Sequence, residues 1–395
     1  MQPSNRVLHL NKSLSTLLYK MKVSVVRGTL DSVVDQLKEF GSVFTELVNL
    51  LLTDIVVESI QSLSSTRSLQ DSLVLVSRLG LQGNHICRIF ASEGGMGVLL
   101  DLLCSPRALE HRGLVLRALG TLCCVKEGIL QFQQRGGMER IAEVLRDDTE
   151  ERIRMEAAGV LAQVTSPWID NCLDPCLVDQ HGYDLVSSLN SMCSNTKSCE
   201  TFLLCTAALA NLSYLSPLLL TAISQLDTLP PLLSFISSRV VPSIYILDQV
   251  ATLLANLSAN QHTRESLLHQ DIVPALLLLL AADPDPQDRS LPVLAATQRV
   301  QQKAAIAIGR LAVHRTVCVS ILSAGGLDRL VELSVCREAR LDSDYTLVSV
   351  VTAVRKIAQT VDIVTDIQNL GAQDILDSNI LHSMQVYSPM MESFV

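Results

Sequence analysis

The sequence predicts an all-α fold in which helical repeats stack into a superhelical array, an α-solenoid. Three observations support this prediction. The 395-residue chain is 48% hydrophobic but only 4% aromatic, so aliphatic side chains must fill its interior, as in close helix-on-helix packing. An apolar helical stripe recurs along most of the chain. A glycine marker recurs in step with that stripe, which indicates one repeating unit rather than separate domains.

The stripe is a triplet of apolar residues at positions i, i+4 and i+7, which lie on one face of an α-helix. Two copies end within the same tetrapeptide, Ala-Asn-Leu-Ser, at residues 210–213 and 255–258. The triplets are Val115-Leu119-Leu122, Ala157-Leu161-Val164, Cys205-Leu209-Leu212, Val250-Leu254-Leu257, Ala304-Ile308-Leu311 and Val350-Val354-Ile357, with a weaker copy ending at Leu79. Consecutive stripes end 42 to 54 residues apart, and the two longest intervals contain the insertions 168–176 and 283–288.

The glycine marker precedes an apolar helix in each repeat. Its copies are Gly94-Gly95-Met96, Gly136-Gly137-Met138 and Gly325-Gly326-Leu327, with Gly182, Asp271 and Gly371 at matching phases. Glycine tolerates a positive φ, so it lets one helix end and the next leave at a sharp angle.

The two markers together resemble the armadillo family, whose repeats are roughly 40–47 residues long and end in Ala-x-Leu-Ala-Asn-Leu-Ser. The resemblance implies about seven repeats over residues 65–383, followed by a flexible tail at 384–395. Residues 1–64 are expected to form a helical cap, because apolar residues step by three and four through 33–51. The alternatives are a HEAT array for the fold, and a partner-helix or self-association site for the cap.

The armadillo resemblance also implies a peptide-binding groove lined by the third helix of each repeat. The equivalent positions of the peptide-binding Asn form a ladder: Arg78, Thr121, Gln163, Asn211, Asn256, Arg310 and Lys356. An amide suits such a position because it donates to and accepts from an extended backbone at once. The basic members favour an acidic ligand instead. The alternative is that these are ordinary exposed helix positions.

Composition argues against several classes of function. The net charge of −9 and the pI of about 5.4 provide no basic surface for nucleic acid. The longest unbroken apolar run, residues 275–282, is too short for a membrane span, and the first ten residues lack a secretory signal. We therefore expect a cytoplasmic protein without membrane insertion, whose eleven cysteines are reduced thiols.

The sequence also predicts a non-enzymatic protein without a cofactor, because no arrangement of catalytic groups is present. Residues 94–97 resemble a phosphate-binding glycine loop only faintly, and the repeat phase explains them. Zinc binding near His181, by Cys172 and Cys176 with the trio Cys193, Cys199 and Cys205, is an alternative. Their spacings miss the usual C-x₂-C pattern, however, and Cys205 belongs to a core stripe. The single tryptophan, Trp168, lies in an insertion, which excludes the tryptophan-lined groove of nuclear-import adaptors.

The C-terminal tail resembles a ligand for PDZ domains. The chain ends in Glu392-Ser393-Phe394-Val395, so a Ser stands two residues before a terminal Val. A PDZ domain takes such a tail by strand addition, with the carboxylate in a backbone nest and the Val side chain in an apolar pocket.

An armadillo array with this ending is similar to the C-terminal region of the Inscuteable family, most closely at residues 42–96 and 386–395. The resemblance implies an adaptor for cell polarity, spindle orientation and asymmetric cell division, recruited from the cytoplasm to the apical cortex. Its implied partners are the PDZ domains of the Bazooka/partitioning-defective scaffold and, at family level, LGN. Residues 1–64 show no counterpart of the family's Glu-Pro-Glu LGN-binding helix. A generic catenin-like or exchange-factor-like armadillo scaffold is the alternative.

Overall fold

The computed structural model describes residues 3–27, 30–65, 68–167, 169, 173–238 and 243–376. Within these ranges every regular element is a helix and no strand occurs, as the sequence predicts. Contacts divide the chain into two compact units, residues 1–137 and 138–395. The division of the chain into cap, array and tail stays a prediction.

Unit 1 starts with a helical hairpin and continues with helices of the repeat type. Its helices are α1 (Pro3–Arg27), α2 (Leu30–Ser64), α3 (Leu69–Gly80), α4 (Asn84–Ser92), α5 (Gly95–Leu103), a 3-10 helix (Pro106–His111), α6 (Arg112–Leu122) and α7 (Lys126–Gln134). Helices α1 and α2 pack against each other, and α2 also packs on α3 and α4.

Unit 2 repeats a triplet of two shorter helices and one longer helix. Its helices are α8 (Gly137–Asp147), α9 (Glu151–Val164), α10 (Pro175–Asp179), α11 (Gly182–Asn195), α12 (Cys199–Leu215), α13 (Pro217–Gln225), α14 (Leu229–Ile236), α15 (Ile244–Ala259), α16 (Gln261–His269), α17 (Val273–Leu280), α18 (Leu291–Leu311), α19 (Arg315–Ser323), α20 (Gly326–Val335), α21 (Asp344–Thr360), α22 (Val364–Asn369) and a 3-10 helix (Gln373–Leu376).

The predicted stripes lie on the third helices of the repeats, and they form the core. The last stripe residues of six of these helices are fully buried: Leu122, Val164, Leu212, Leu257, Leu311 and Ile357. The seventh, Leu79 of α3, is only half-buried, in keeping with its weaker pattern. Burial of a side chain of this size contributes about 2 kcal/mol, so the stripes supply a large share of the hydrophobic stabilisation.

The paired glycines serve two different purposes at the turn into the second helix. Gly136 has φ of +70°, the left-handed conformation that the turn requires. A Cβ on Gly137 would lie 2.5 Å from the ring of Phe132, so the second glycine permits close packing of the preceding helix. Between α13 and α14, where the sequence has no glycine, Asp227 adopts φ of +48° in its place. Aspartate is among the few residues that tolerate this conformation.

Helix α2 is unusually apolar for a helix that is mostly exposed. Among the described helices, α2 alone is by itself long and apolar enough to cross a membrane. Its most apolar 18-residue window has a mean hydropathy of 1.6, and only 11% of that window is buried. Helices α13 and α14 meet this criterion only as one joined span, and they are bent by 73°. Length and composition alone are weak evidence for a span, and the expectation of no membrane insertion stays a prediction.

Replacing Leu254 by Asp tests the architecture. Leu254 lies in the stripe of α15 and is 1% exposed, so its replacement would bury an unpaired charge between repeats. We expect a loss of about 4 kcal/mol in the free energy of unfolding, measured by urea denaturation followed by circular dichroism. Leu218→Asp, at a site that is 68% exposed in the same unit, is the control and should change little. Equal effects of the two variants would contradict the repeat packing.

Candidate peptide-binding groove

The third helices of unit 2 lie side by side, so equivalent positions form rows across them. Helices α9, α12, α15, α18 and α21 each pack on the next. Small residues set the close spacing: a Cβ on Gly309 of α18 would lie 3.3 Å from the Cα atom of Ala353 on α21. This arrangement is the geometric requirement for an extended groove, because a bound chain must meet successive helices at regular intervals.

The ladder residues predicted from the sequence differ in accessibility. In unit 1, Arg78 of α3 is exposed and Thr121 of α6 is half-buried. In unit 2, Gln163, Asn211, Arg310 and Lys356 are half-buried, whereas Asn256 is only 6% exposed. Whether these side chains bind a peptide stays a prediction, and the structure shows what else they do.

Three consecutive ladder side chains of unit 2 donate hydrogen bonds to the preceding third helix. Asn211 Nδ2 donates to the Ala162 carbonyl at 2.8 Å. Asn256 Nδ2 donates to the Ala210 carbonyl at 3.4 Å and to Ser213 Oγ at 2.9 Å. Arg310 Nη1 donates to the Ala255 carbonyl at 2.8 Å. Each acceptor carbonyl belongs to the residue just before the previous ladder position.

These hydrogen bonds connect neighbouring repeats, so the ladder residues also stabilise the array. Their positions in the sequence repeat predicted only that they would face the groove. In Asn211 and Asn256 the Nδ2 group donates within the protein, which leaves Oδ1 as the atom best suited to accept from a bound peptide N–H. The arrangement is therefore compatible with peptide binding, through the acceptor side of the amide.

A buried ionic cluster lies two turns before Asn256 on α15. The Asp248 side chain is 5% exposed and accepts from Arg299 at 2.7 Å and from Lys303 at 2.9 Å, both on α18. Lys303 also donates to Thr252 Oγ1. A buried carboxylate requires such partners, because an unpaired charge in this position would cost several kcal/mol. The cluster thus ties α15 to α18.

The cluster leaves this part of the groove positively charged. Two cations face one carboxylate, and Arg310 and Lys356 lie further along α18 and α21. Burial lowers the pKa of the Lys303 ammonium, and the neighbouring Asp248 carboxylate opposes that shift. The positive excess suits a ligand with carboxylate or other anionic groups.

The sequence analysis did not identify Asp248 as part of the groove, although a signal was present. Asp248 is the one charged residue in the sixteen-residue helix α15, which is otherwise apolar or uncharged. A lone charge on a buried repeat helix indicates a partner on a neighbouring helix. The partners themselves, 51 and 55 residues away, could not be inferred from local pattern.

The remaining sequence candidates are not assembled into a site within the described residues. No group of three His, Cys, Asp or Glu side chains there could hold a metal ion. Cys193 and Cys205 are buried thiols, whereas Cys176 is exposed. Cys172, Trp168 and the tail residues Glu392, Ser393, Phe394 and Val395 lie outside the described residues.

Replacing Asn256 by Ala tests the structural role of the ladder. The change removes the donor to Ala210 and Ser213 from a nearly buried site. We expect the free energy of unfolding to fall by about 1–3 kcal/mol, measured by chemical denaturation. The control is Gln359→Ala, at an exposed position of α21, which should leave the stability unchanged. Thr252 does not serve as a control, because its hydroxyl accepts a hydrogen bond from Lys303. An unchanged stability would show that the hydrogen bonds contribute nothing.

Solved structures with a similar fold include an engineered protein and designed armadillo repeat proteins. An engineered protein has a TM-score of 0.66 and 22% identity, over 84% of this chain and 74% of that chain. A designed armadillo repeat protein has a TM-score of 0.54 and 20% identity, over 65% of this chain and 99% of its own. A second designed armadillo repeat protein, in complex with the peptide (KR)4, has a TM-score of 0.53 and 19% identity, over 65% of this chain and 99% of its own. These likenesses confirm the armadillo-type fold.

Two relatives, from human and mouse, are each named Protein inscuteable homolog. Each is 30% identical to this chain, over 382 and 383 residues respectively. The matches cover 94% of this chain and 64% of each relative, so the chain spans somewhat less than two thirds of their length. The profile of the family described as Protein inscuteable C-terminal matches residues 7–395. The chain therefore belongs to the inscuteable family and corresponds to its C-terminal region.

Proposed function

We propose that this chain is a non-enzymatic adaptor in cell polarity that binds protein partners through its groove and its C-terminal tail. The observation that carries the proposal is the match of the inscuteable C-terminal family over residues 7–395. The side-by-side third helices of unit 2 support it, because such a surface offers a long row of polar contacts rather than an enclosed active site.

The groove of unit 2 binds an extended, acidic segment of a partner protein. Asn211 and Asn256 present amide oxygens to the backbone N–H groups of that segment. Arg299, Arg310 and Lys356 supply the charge that attracts carboxylates. A designed armadillo repeat protein of similar fold is described in complex with the basic peptide (KR)4. The positive excess here favours the opposite sign of ligand.

The tail, residues 392–395, binds PDZ domains of the Bazooka/partitioning-defective scaffold. Its support is the sequence alone: Ser two residues before a terminal Val suits strand addition. A single short peptide of this kind has a micromolar dissociation constant, about 8 kcal/mol, so tight binding requires a second contact. The groove offers that second contact.

With these two surfaces the protein engages the polarity scaffold, and at the level of the family it links that scaffold to the LGN spindle machinery for spindle orientation and asymmetric division. The protein acts in the cytoplasm and at the apical cell cortex. The LGN contact is proposed for the family as a whole, because this chain spans only 64% of the length of its relatives.

Charge reversal at Lys356 tests the groove. A fluorescent (Glu-Ser)5 peptide should bind the full chain better than (Lys-Ser)5, measured by fluorescence polarisation at low salt. Lys356→Glu should weaken binding of the acidic peptide about tenfold, equivalent to 1.4 kcal/mol, because one attractive charge becomes repulsive. Lys197→Glu, an exposed position between α11 and α12, should leave affinity unchanged. Preferential binding of (Lys-Ser)5 would contradict the assignment of an acidic ligand.

Adding one Gly after Val395 tests the tail. The extension moves the carboxylate out of register with the pocket for the Val side chain, so binding to the scaffold's PDZ domains should be lost. Phe394→Ala is the matched control and should retain binding, because alternate side chains of an added strand point away from the domain. Isothermal titration with isolated PDZ domains provides the measurement. Full-strength binding by the extended chain would exclude the tail as the ligand.

A further inference from the structure

Two free thiols lie in contact with each other in unit 1. Cys87 lies in α4, and Cys124 lies in the turn that leads from α6 into α7. The Cys124 thiol donates to the Cys87 sulfur over 3.4 Å, although the two residues are 37 positions apart in the sequence. A movement of about 1.4 Å would bring the two sulfur atoms to the length of a disulfide bond, about 2.05 Å.

The surrounding helices hold the two thiols in this orientation. Helix α4 packs against both α6 and α7. The Cys87 thiol donates to the main-chain carbonyl of Gly80 at 3.3 Å and to that of Thr121 at 3.6 Å. These carbonyls lie at the C-terminal ends of α3 and α6. Because the S–H group of Cys87 is directed to them, a lone pair of its sulfur faces Cys124.

The two thiols differ in their access to solvent, which suits them to different roles. Cys87 is 0% exposed, and burial raises its pKa to about 12, with the hydrogen bond from Cys124 adding to the rise. Such a thiol stays protonated and sheltered from an oxidant. Cys124 is half-buried, so a small oxidant reaches its sulfur. A reachable thiol beside a sheltered one is the arrangement of a reacting cysteine with its resolving cysteine.

We propose that Cys87 and Cys124 form a reversible oxidation site, at which hydrogen peroxide converts the two thiols into a disulfide bond. The site is a property of unit 1 and does not depend on the proposed groove or tail. Its basis is the contact between the two sulfur atoms, together with the difference in their accessibility.

The oxidation takes two steps and consumes one peroxide. In the first step the Cys124 sulfur attacks one oxygen, the O–O bond breaks, and hydroxide leaves with the thiol proton as water, so Cys124 becomes a sulfenic acid. In the second step the Cys87 sulfur attacks the Cys124 sulfur, the S–O bond breaks, and hydroxide leaves with the Cys87 proton as a second water. The two thiols lose two electrons, which the peroxide gains. A dithiol reductant reverses the reaction by thiol–disulfide exchange.

A second pair of thiols, in unit 2, shows the importance of access. The hydrogen bond with Cys193 raises the pKa of Cys205 well above its usual value, and burial adds to the rise. Cys193 is 5% exposed and Cys205 0%, so an oxidant reaches neither thiol in the folded chain. We therefore expect this pair to stay reduced under conditions that oxidise Cys124.

The disulfide bond fixes the turn between two repeats to helix α4. It closes a loop between residues that are 37 positions apart, which reduces the conformational freedom of the opened chain. Local opening of α4 and α6 therefore becomes rarer. Thr121, the ladder residue of α6, lies three positions before Cys124, so the bond also fixes this part of the ladder relative to α4.

Peptide mapping of the full chain tests the site. The chain is treated with a small excess of hydrogen peroxide, the remaining thiols are blocked with N-ethylmaleimide, and trypsin is applied without reductant. We expect peptides 79–88 and 118–126 as a linked pair that dithiothreitol separates. Fragmentation of the pair distinguishes Cys124 from Cys123. Cys104→Ser removes an exposed thiol of the same unit and, as the control, should leave the linked pair unchanged.

Hydrogen exchange tests the consequence of the bond. Amides of α4 and α6 should exchange at least about tenfold more slowly in the oxidised chain, whereas those of α15 in unit 2 should not change. Cys124→Ser should abolish both the linked pair and the slower exchange. A bond between Cys123 and Cys124, recovery of Cys124 only as a sulfinic acid, or oxidation of Cys104 without the linked pair would overturn the proposal. Unchanged exchange in an oxidised chain would overturn it as well.

Discussion

The side-by-side packing of the third helices is the interaction on which the rest of this structure depends. One helix triplet is too small to enclose a core, so its apolar stripe is buried only when the next repeat covers it. In unit 2 the stripe residues of α12, α15 and α18 reach full burial in this way. Small residues such as Gly309 keep the helices close enough for the rows of the groove to align.

The polar surface of the groove follows from that packing and also reinforces it. Because the third helices are close, a ladder side chain on one helix reaches a main-chain carbonyl on the previous helix, as Asn211 and Arg310 do. The same closeness buries Asp248 and obliges Arg299 and Lys303 to surround it. The positive charge available to a ligand is thus partly a result of the requirement to neutralise a buried carboxylate. The side chains that we propose for binding are therefore also the ones that connect neighbouring repeats.

The α1–α2 hairpin at the start of unit 1 buries its apolar residues differently from the repeats. Helices of a repeat bury their stripe between neighbours. Helix α2 instead buries Leu47 against α1 and leaves large apolar side chains exposed, namely Leu37, Phe44, Leu51 and Ile55. This explains why α2 is as apolar as a membrane-spanning helix although only 11% of its most apolar window is buried.

Much of the fold is determined by the sequence itself, because its signals are local and periodic. The stripes predicted the third helices, and the Gly-Gly pairs predicted the turns. The first glycine of the pair at 136–137 takes the left-handed backbone, and the second permits the close approach to Phe132. The ladder positions were also identified from their place in the repeat.

Other features depend on which surfaces pack against each other, and only the tertiary structure decided them. Asn256 turns into the neighbouring repeat, Asp248 finds partners more than fifty residues away, and Asp227 replaces a glycine. The amphipathic pattern of α2 likewise predicted a helix but not which of its apolar side chains stay exposed. Periodicity specifies that a face is apolar, whereas its burial depends on the neighbour that packs against it.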